Sequence, residues 1–288
     1  MDETEASPEA YLKDYHRRRA GATAIMFGQI PMEADGRRFA STYHYLVDRV
    51  PTARGRLRVL DLACGDGFLL ALLAQRRQRG LELYGVDFSE SELAAAQRRR
   101  SGAVQLVRAN ARCLPLQTGS IDVVVSHMAM MLMNDIPAVI GEVARVLRPH
   151  GQLSVIIGRS RQANDSDVCL PFISAAVEKA GLRQIIPWGD ARMGSVEGIE
   201  ELLRSEFEET TTSDLNCVFR LDLQAYWERL QATYAVDILP ECLQIALQSE
   251  ILSAVRPLVE TDGKISTGFA VRHFSAFRRS EPSKNSGG

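Results

Sequence analysis

The order of apolar and polar positions divides the chain into segments of two kinds. From residue 57 short apolar runs alternate with helical stretches. Strands are predicted at 57–62, 81–86, 104–109, 121–126 and 152–157, with helices at 68–79, 89–100 and 136–147 between them. The runs are apolar without alternation, as in strands covered on both faces. Repeated strand–helix units predict an α/β fold with a doubly wound, parallel, Rossmann-like sheet. Upstream, Ser7-Pro8 offers an N-cap with proline in the first turn, and a helix is predicted at 8–20. A second helix is predicted at 36–50, where Phe39, Tyr43, Leu46, Val47 and Val50 recur at helical spacing before Pro51. The intervening 21–33 reads as a loop, unusually apolar because of Met26, Phe27, Ile30 and Met32.

After Gly158 the alternation stops. Helices are predicted at 166–180, 195–207, 223–234 and 240–259, with a long strand at 208–222. Asp262-Gly263 signals a turn into a final strand at 264–278. These two strands complete a seven-stranded, mostly parallel sheet whose last strand is antiparallel. The chain is accordingly divided into an N-terminal helical lid (1–52), a core (53–160), a cap insertion (161–194), the C-terminal part of the sheet with a substrate wall (195–279), and a disordered tail (280–288).

Composition changes this picture little. Thirty-four Lys and Arg balance 36 Asp and Glu, and the basic runs at Arg37-Arg38, Arg76-Arg77 and Arg98-Arg99-Arg100 read as solvated helix faces, so no nucleic-acid partner is expected. The acidic N-terminus lacks the pattern of a secretory signal, and no apolar run reaches the ~20 residues of a bilayer span. The five cysteines are scattered without a CxxC pair, which points to reduced thiols, no metal and a cytoplasmic protein that does not engage a membrane.

The chemistry gathers at predicted strand ends. The first strand runs into Asp61-Leu62-Ala63-Cys64-Gly65-Asp66-Gly67, a turn of small residues that lets a ligand approach backbone N–H groups. A dinucleotide fingerprint would need a third glycine, but Phe68, Leu69 and Leu70 follow. Asp87 ends the second strand about 20 residues on, where a carboxylate can accept both hydroxyls of a ribose. It reads alternatively as an N-cap, a job that Ser89 or Ser91 could also perform. Asn110, after the third strand, is either an amide for an adenine edge or an Asx turn. The fourth strand ends at Ser126-His127, followed by Met128, Met130, Met131 and Met133.

Together these residues resemble the class I S-adenosylmethionine-dependent methyltransferases, specifically the small-molecule type 11 group, over roughly residues 56–159. The resemblance implies that Asp61, Ala63, Gly65 and Gly67 hold the methionine part of S-adenosyl-L-methionine. It implies that Asp87 binds the ribose, that Phe88, Asn110 and Ala111 meet the adenine, and that Ser126 and His127 flank the cofactor. Three departures stand out: Ala63 replaces the first glycine of the turn, His150 interrupts the usual Pro-Gly-Gly at Pro149-His150-Gly151, and Met131 occupies a position commonly polar.

Methyl transfer needs alignment and exclusion of water more than covalent help, and a phenolic acceptor must also lose a proton. His127 is the candidate base, equally readable as a loop-holding residue, and Tyr15 is the second catalytic candidate. Met128, Met131, His16 and Tyr43 are candidate substrate contacts, with the 166–180 helix as a roof; His16 also reads as part of a solvated helix face. The expected reaction is O- or N-methylation of a small apolar or aromatic metabolite by a monomer or homodimer, in a setting such as natural-product biosynthesis. The alternatives are a repurposed member of the fold, such as a cofactor-binding cyclase or a non-catalytic binding protein, and a Rossmann oxidoreductase.

Overall fold

The structure is a computed structural model that describes residues 7–99, 104–159, 168–185 and 189–280. Its N-terminal part comprises helices α1 (Pro8–Arg18) and α2 (Ala22–Phe27), a hairpin of β1 (Met32–Ala34) and β2 (Arg37–Phe39), and helix α3 (Thr42–Arg49). The alternating core follows as β3 (Leu57–Leu62), α4 (Phe68–Gln75), β4 (Leu81–Asp87), α5 (Glu90–Arg99), β5 (Val104–Arg108), β6 (Ile121–His127), α6 (Ile136–Val146) and β7 (Leu147–Gly158). Beyond it lie α7 (Leu170–Lys179), α8 (Val196–Leu203), β8 (Phe207–Leu221), α9 (Leu223–Gln231), α10 (Tyr234–Asp237), α11 (Glu241–Val255) and β9 (Ile265–Arg278).

The large sheet has seven strands in the order β5-β4-β3-β6-β7-β9-β8. All neighbours pair in parallel except β9, which runs antiparallel to both β7 and β8. Chain order reverses beside β3, which pairs with β4 on one side and β6 on the other. That reversal opens a crevice at the carboxyl ends of these strands, where ligands of such sheets bind.

Strand alternation fills the layers on both faces. Leu60, Leu62 and Val124 pack with α6 and α8, while Val59, Val123 and Val125 pack with α3 and α4. This explains why the strands read as unbroken apolar runs. A third cluster joins α7, α9, α10 and α11 through residues such as Ile173, Trp227, Val236 and Ile251. Helix α7 is therefore part of a helical annex with its own core.

Two readings are corrected. Residues 36–39 are not helical: Asp35 (φ 53°) and Gly36 (φ 69°) make the left-handed two-residue turn that joins β1 to β2. Helix α3 starts only after Ser41, whose hydroxyl accepts from the His44 amide. The apolar "loop" at 21–33 contains α2 and β1, and its Phe27, Ile30 and Met32 are buried beside the sheet. Residues 281–288 of the predicted 280–288 tail, and the 160–167 segment, lie outside the described residues.

Candidate functional site

The turn after β3 alternates into the left-handed region at Ala63 (φ 57°), Gly65 (φ 50°) and Gly67 (φ 74°). Glycine adopts this conformation freely; Ala63 holds it at a cost of roughly 1–2 kcal/mol. The turn is fastened to β4 by Asp87, whose Oδ2 accepts from the Gly65 amide at 2.9 Å. Asp87 Oδ1 accepts from the Ser89 amide at 2.8 Å, and Ser89 Oγ in turn accepts from the Glu92 amide at 3.4 Å. Ser89 thus takes the capping job at α5. Asp87 keeps further acceptor capacity toward the cavity it lines.

Asp61, at the end of β3, is 2% exposed, and its Oδ2 has no hydrogen-bond partner among the described residues. Burial, then the charges of Asp87 and Asp66, push its carboxyl well above the usual range. A buried acceptor left unpaired is costly unless a ligand supplies the donor. Burial also raises Asp87, against the two backbone amides and nearby His16, which act to lower it. A Cβ on Gly65 would meet only Glu92 Oε2, at 3.8 Å, so the turn leaves an open cradle.

The cavity above this floor is covered by the N-terminal helices: Leu12 and His16 of α1 and Gly21, Thr23 and Ala24 beside them line it. Helix α1 is clamped from outside by the annex. Tyr11 donates to the Tyr234 carbonyl (3.0 Å), and Arg18 and Arg19 pair with Asp237 at 2.7 Å each. From inside it meets Glu92 of α5, which no sequence signal distinguished from a solvated acid. Together Asp61, Asp66, Asp87 and Glu92 put four carboxylates around one cavity. Asp66 is bonded to Arg99, and Glu92 to His16. Burial raises Asp61, Asp66 and Asp87, and a cationic group bound beside them would favour their charged forms.

At the end of β6, His127 is 5% exposed and lines the cavity. Its Nε2 contacts Thr42 Oγ1 at 2.8 Å, its ring stacks on Tyr43 at 3.7 Å, and its Nδ1 has no partner among the described residues. Burial pushes its pKa down to about 3, so the imidazole is neutral and a poor base near pH 7. Met128 follows in the left-handed region (φ 55°), tied by its amide to the Ile156 carbonyl. Strain of this kind accumulates at functional sites.

Most of the expected residues converge here: Asp61, Ala63, Gly65, Asp87, Phe88, Asn110, Ala111, His16, Tyr43, His127 and Met128 all line the cavity. Asn110 also makes the Asx turn, accepting from the Arg112 amide at 2.9 Å. Four expected residues do not line it. Tyr15 lies on the buried face of α1, its hydroxyl donating to the Ala232 carbonyl (2.6 Å) and not to the cavity. Ser126 donates to the Leu62 carbonyl at 2.8 Å and staples β6 to β3. Gly67 serves helix packing, since a Cβ there would sit 3.0 Å from Ala96 Cβ. Met131 packs against the sheet core, while Leu132, Met133 and Asn134 face the cavity instead. Among the described residues α7 contributes nothing to the lining; the annex reaches the cavity through Tyr234.

Residues 60–155 match the family described as a methyltransferase domain. Over 102 residues the chain is 38% identical to a demethylmenaquinone methyltransferase of Thermus thermophilus, covering 34% of this chain and 46% of that protein. Over 114 residues it is 33% identical to the nocamycin O-methyltransferase of Saccharothrix syringae, covering 38% and 40% respectively. The chain spans less than half the length of such curated relatives, as little as 17% of one. The solved structure of Haemonchus contortus phosphoethanolamine N-methyltransferase 2, with phosphomonomethylethanolamine and S-adenosylhomocysteine, superposes with a TM-score of 0.57 at 18% identity. It covers 95% of this chain and 60% of that one. At that identity the likeness speaks for the fold. Residues 60–155 are thus a class I, S-adenosylmethionine-dependent methyltransferase domain.

Proposed function

We propose that the whole chain is an S-adenosylmethionine-dependent methyltransferase acting on an O or N atom of a small apolar or aromatic metabolite. The observation that carries this is the buried, unpaired Asp61 carboxylate beside the open Gly65 turn, inside a methyltransferase domain. These residues fit the cofactor. Asp61 offers an acceptor to its ammonium group, Asp87 offers acceptors to its ribose hydroxyls, and Phe88, Asn110 and Ala111 form the edge that meets its adenine. The cofactor supplies a methyl group already activated by sulfonium charge.

The protein's own part is placement. Tyr43, His127, Met128, Leu132 and Met133 form the wall beyond the acidic floor. Methionines there adapt to an apolar acceptor and exclude water, which favours in-line alignment. Neutral His127 offers Nδ1 as a single hydrogen-bonding point, fixed by Thr42 and the Tyr43 stack. We assign it to orienting the acceptor; with so low a pKa it does not store the proton. The relative named as an O-methyltransferase supports oxygen as the acceptor atom. We take the protein to work in the cytoplasm as a monomer or homodimer.

The test is release of S-adenosylhomocysteine from S-adenosylmethionine on incubation with phenolic, carboxylic and amine metabolites. Stoichiometric methylated product supports the proposal. Tight cofactor binding with metabolite conversion but no S-adenosylhomocysteine would identify a repurposed cyclase instead.

A further inference from the structure

Glu92 sits on α5 as one acid among several polar positions, yet it is 2% exposed. Its two oxygens hold two separate parts of the N-terminal cover. Oε1 accepts from His16 Nδ1 of α1 at 2.7 Å, and Oε2 accepts from the Gly21 amide, in the turn before α2, at 3.0 Å. A carboxylate only accepts, so the Nδ1 of His16 carries the proton. The Tyr234 hydroxyl stands 3.4 Å from the other ring nitrogen, and Ser91 Oγ donates to the His16 carbonyl at 3.1 Å. The same carboxylate faces the glycine cradle, 3.8 Å from where a Cβ on Gly65 would lie. Floor and cover therefore share one group. Leu12, His16, Gly21 and Ala24 all line the cavity, so the two contacts fix residues that form its N-terminal wall.

We propose that Glu92 is the latch of the N-terminal lid: its carboxylate holds His16 and the Gly21 amide over the cofactor, and cofactor exchange requires both to let go. Glu92 is then a positioning residue acting through His16 and Gly21. The inference rests on the cofactor reading given above. The contacts of Arg18 and Arg19 to Asp237 lie outside the cavity lining and clamp α1 to the annex.

The latch is tested by the dissociation rate of S-adenosylhomocysteine and by hydrogen exchange of the Gly21 amide in the ligand-free protein. Losing two hydrogen bonds to a charged acceptor, as in Glu92→Ala, is expected to speed dissociation at least ~10-fold. The Gly21 amide should exchange faster in the same variant. Glu92→Gln keeps one acceptor oxygen, is expected to fall between, and serves if Glu92→Ala does not fold. His16→Phe should add little on top of Glu92→Ala, because the two act through one contact. Unchanged Gly21 exchange overturns the latch. So do additive effects of the His16 and Glu92 substitutions, which would make Glu92 a direct cofactor contact. If the unmodified protein fails to bind S-adenosylhomocysteine, the cofactor reading falls, while Gly21 exchange still reports on the latch.

Discussion

Asp87 joins three tasks in one carboxylate: it ends β4, fastens the Gly65 amide, and faces the cavity. Asp87→Ala is expected to weaken S-adenosylmethionine binding at least ~10-fold, about 1.4 kcal/mol, as read by calorimetry. Because Gly65 loses its anchor too, part of that loss should appear as a looser turn. An unchanged affinity removes the ribose assignment. For His127 the expectation separates orientation from proton transfer. With a pKa near 3 the ring stays neutral from pH 5.5 to 8, so kcat should show no titration belonging to it in that range. His127→Ala should lower kcat/KM about tenfold by freeing Tyr43 and the acceptor, short of the ~100-fold or more of lost general-base catalysis. A larger loss, with an acid limb present in the unmodified protein's pH profile and removed in the variant, would restore it as the base. Sequence reading found these residues because strand ends in a parallel sheet share one edge. It missed Glu92, since a lone acid on a helix reads as solvated until tertiary structure brings another helix over it. Tyr15 and Ser126, expected at the site, turn their hydroxyls to the Ala232 and Leu62 carbonyls instead, because pattern shows which element a residue sits on and not which way its hydroxyl points.

The first four core strands were legible to within a residue, since burial on both faces makes their runs mostly apolar, whereas β7 begins at Leu147, five residues before the predicted 152–157. Helix 36–50 failed for a local reason. Asp35-Gly36 is a strong hairpin signal, but the apolar spacing that continues through Tyr43 to Val50 masked it. The annex was seen as separate helices because nothing in periodicity says that α7 packs on α10 and α11. At this scale Gly67 is informative. It opens α4 at φ 74°, and a Cβ there would press to 3.0 Å of Ala96 on α5. Left-handed strain of roughly 1–2 kcal/mol adds to overpacking of about 1–3 kcal/mol. Gly67→Ala should therefore destabilise the protein by about 2–5 kcal/mol in urea unfolding. It does so without entering the cavity, so cofactor affinity of the folded fraction should change little. A silent Gly67→Ala would mean that the α4–α5 crossing tolerates wider spacing.

Folding buries titratable groups far from the site as well, and these govern how the molecule as a whole responds to acid. His273 of β9 lies in the sheet opposite Ile156, 5% exposed, with Nε2 at 2.9 Å from Ser154 Oγ and its ring edge-on to Tyr45. Burial, aided by the charge of Arg49 and opposed by Asp35, pushes it down to about 4. An unfolded histidine titrates near 6.5. Between these values the unfolded chain binds a proton that the folded protein refuses, so unfolding gains ground as pH falls. The stability is fully present above about pH 6.5 and is lost progressively toward about pH 4. Asp61, Asp66 and Asp87 act with the opposite sign, because burial raises them and the folded state then takes up protons first. The raw pH–stability curve mixes both, and a difference measurement isolates the histidine. His273→Gln keeps a polar group near Ser154 and cannot titrate. Its destabilisation relative to the unmodified protein should shrink by about 2 kcal/mol between pH 6.5 and pH 5. Chemical unfolding at the two pH values reads this directly. A difference that stays constant would mean that His273 takes up its proton in the folded sheet.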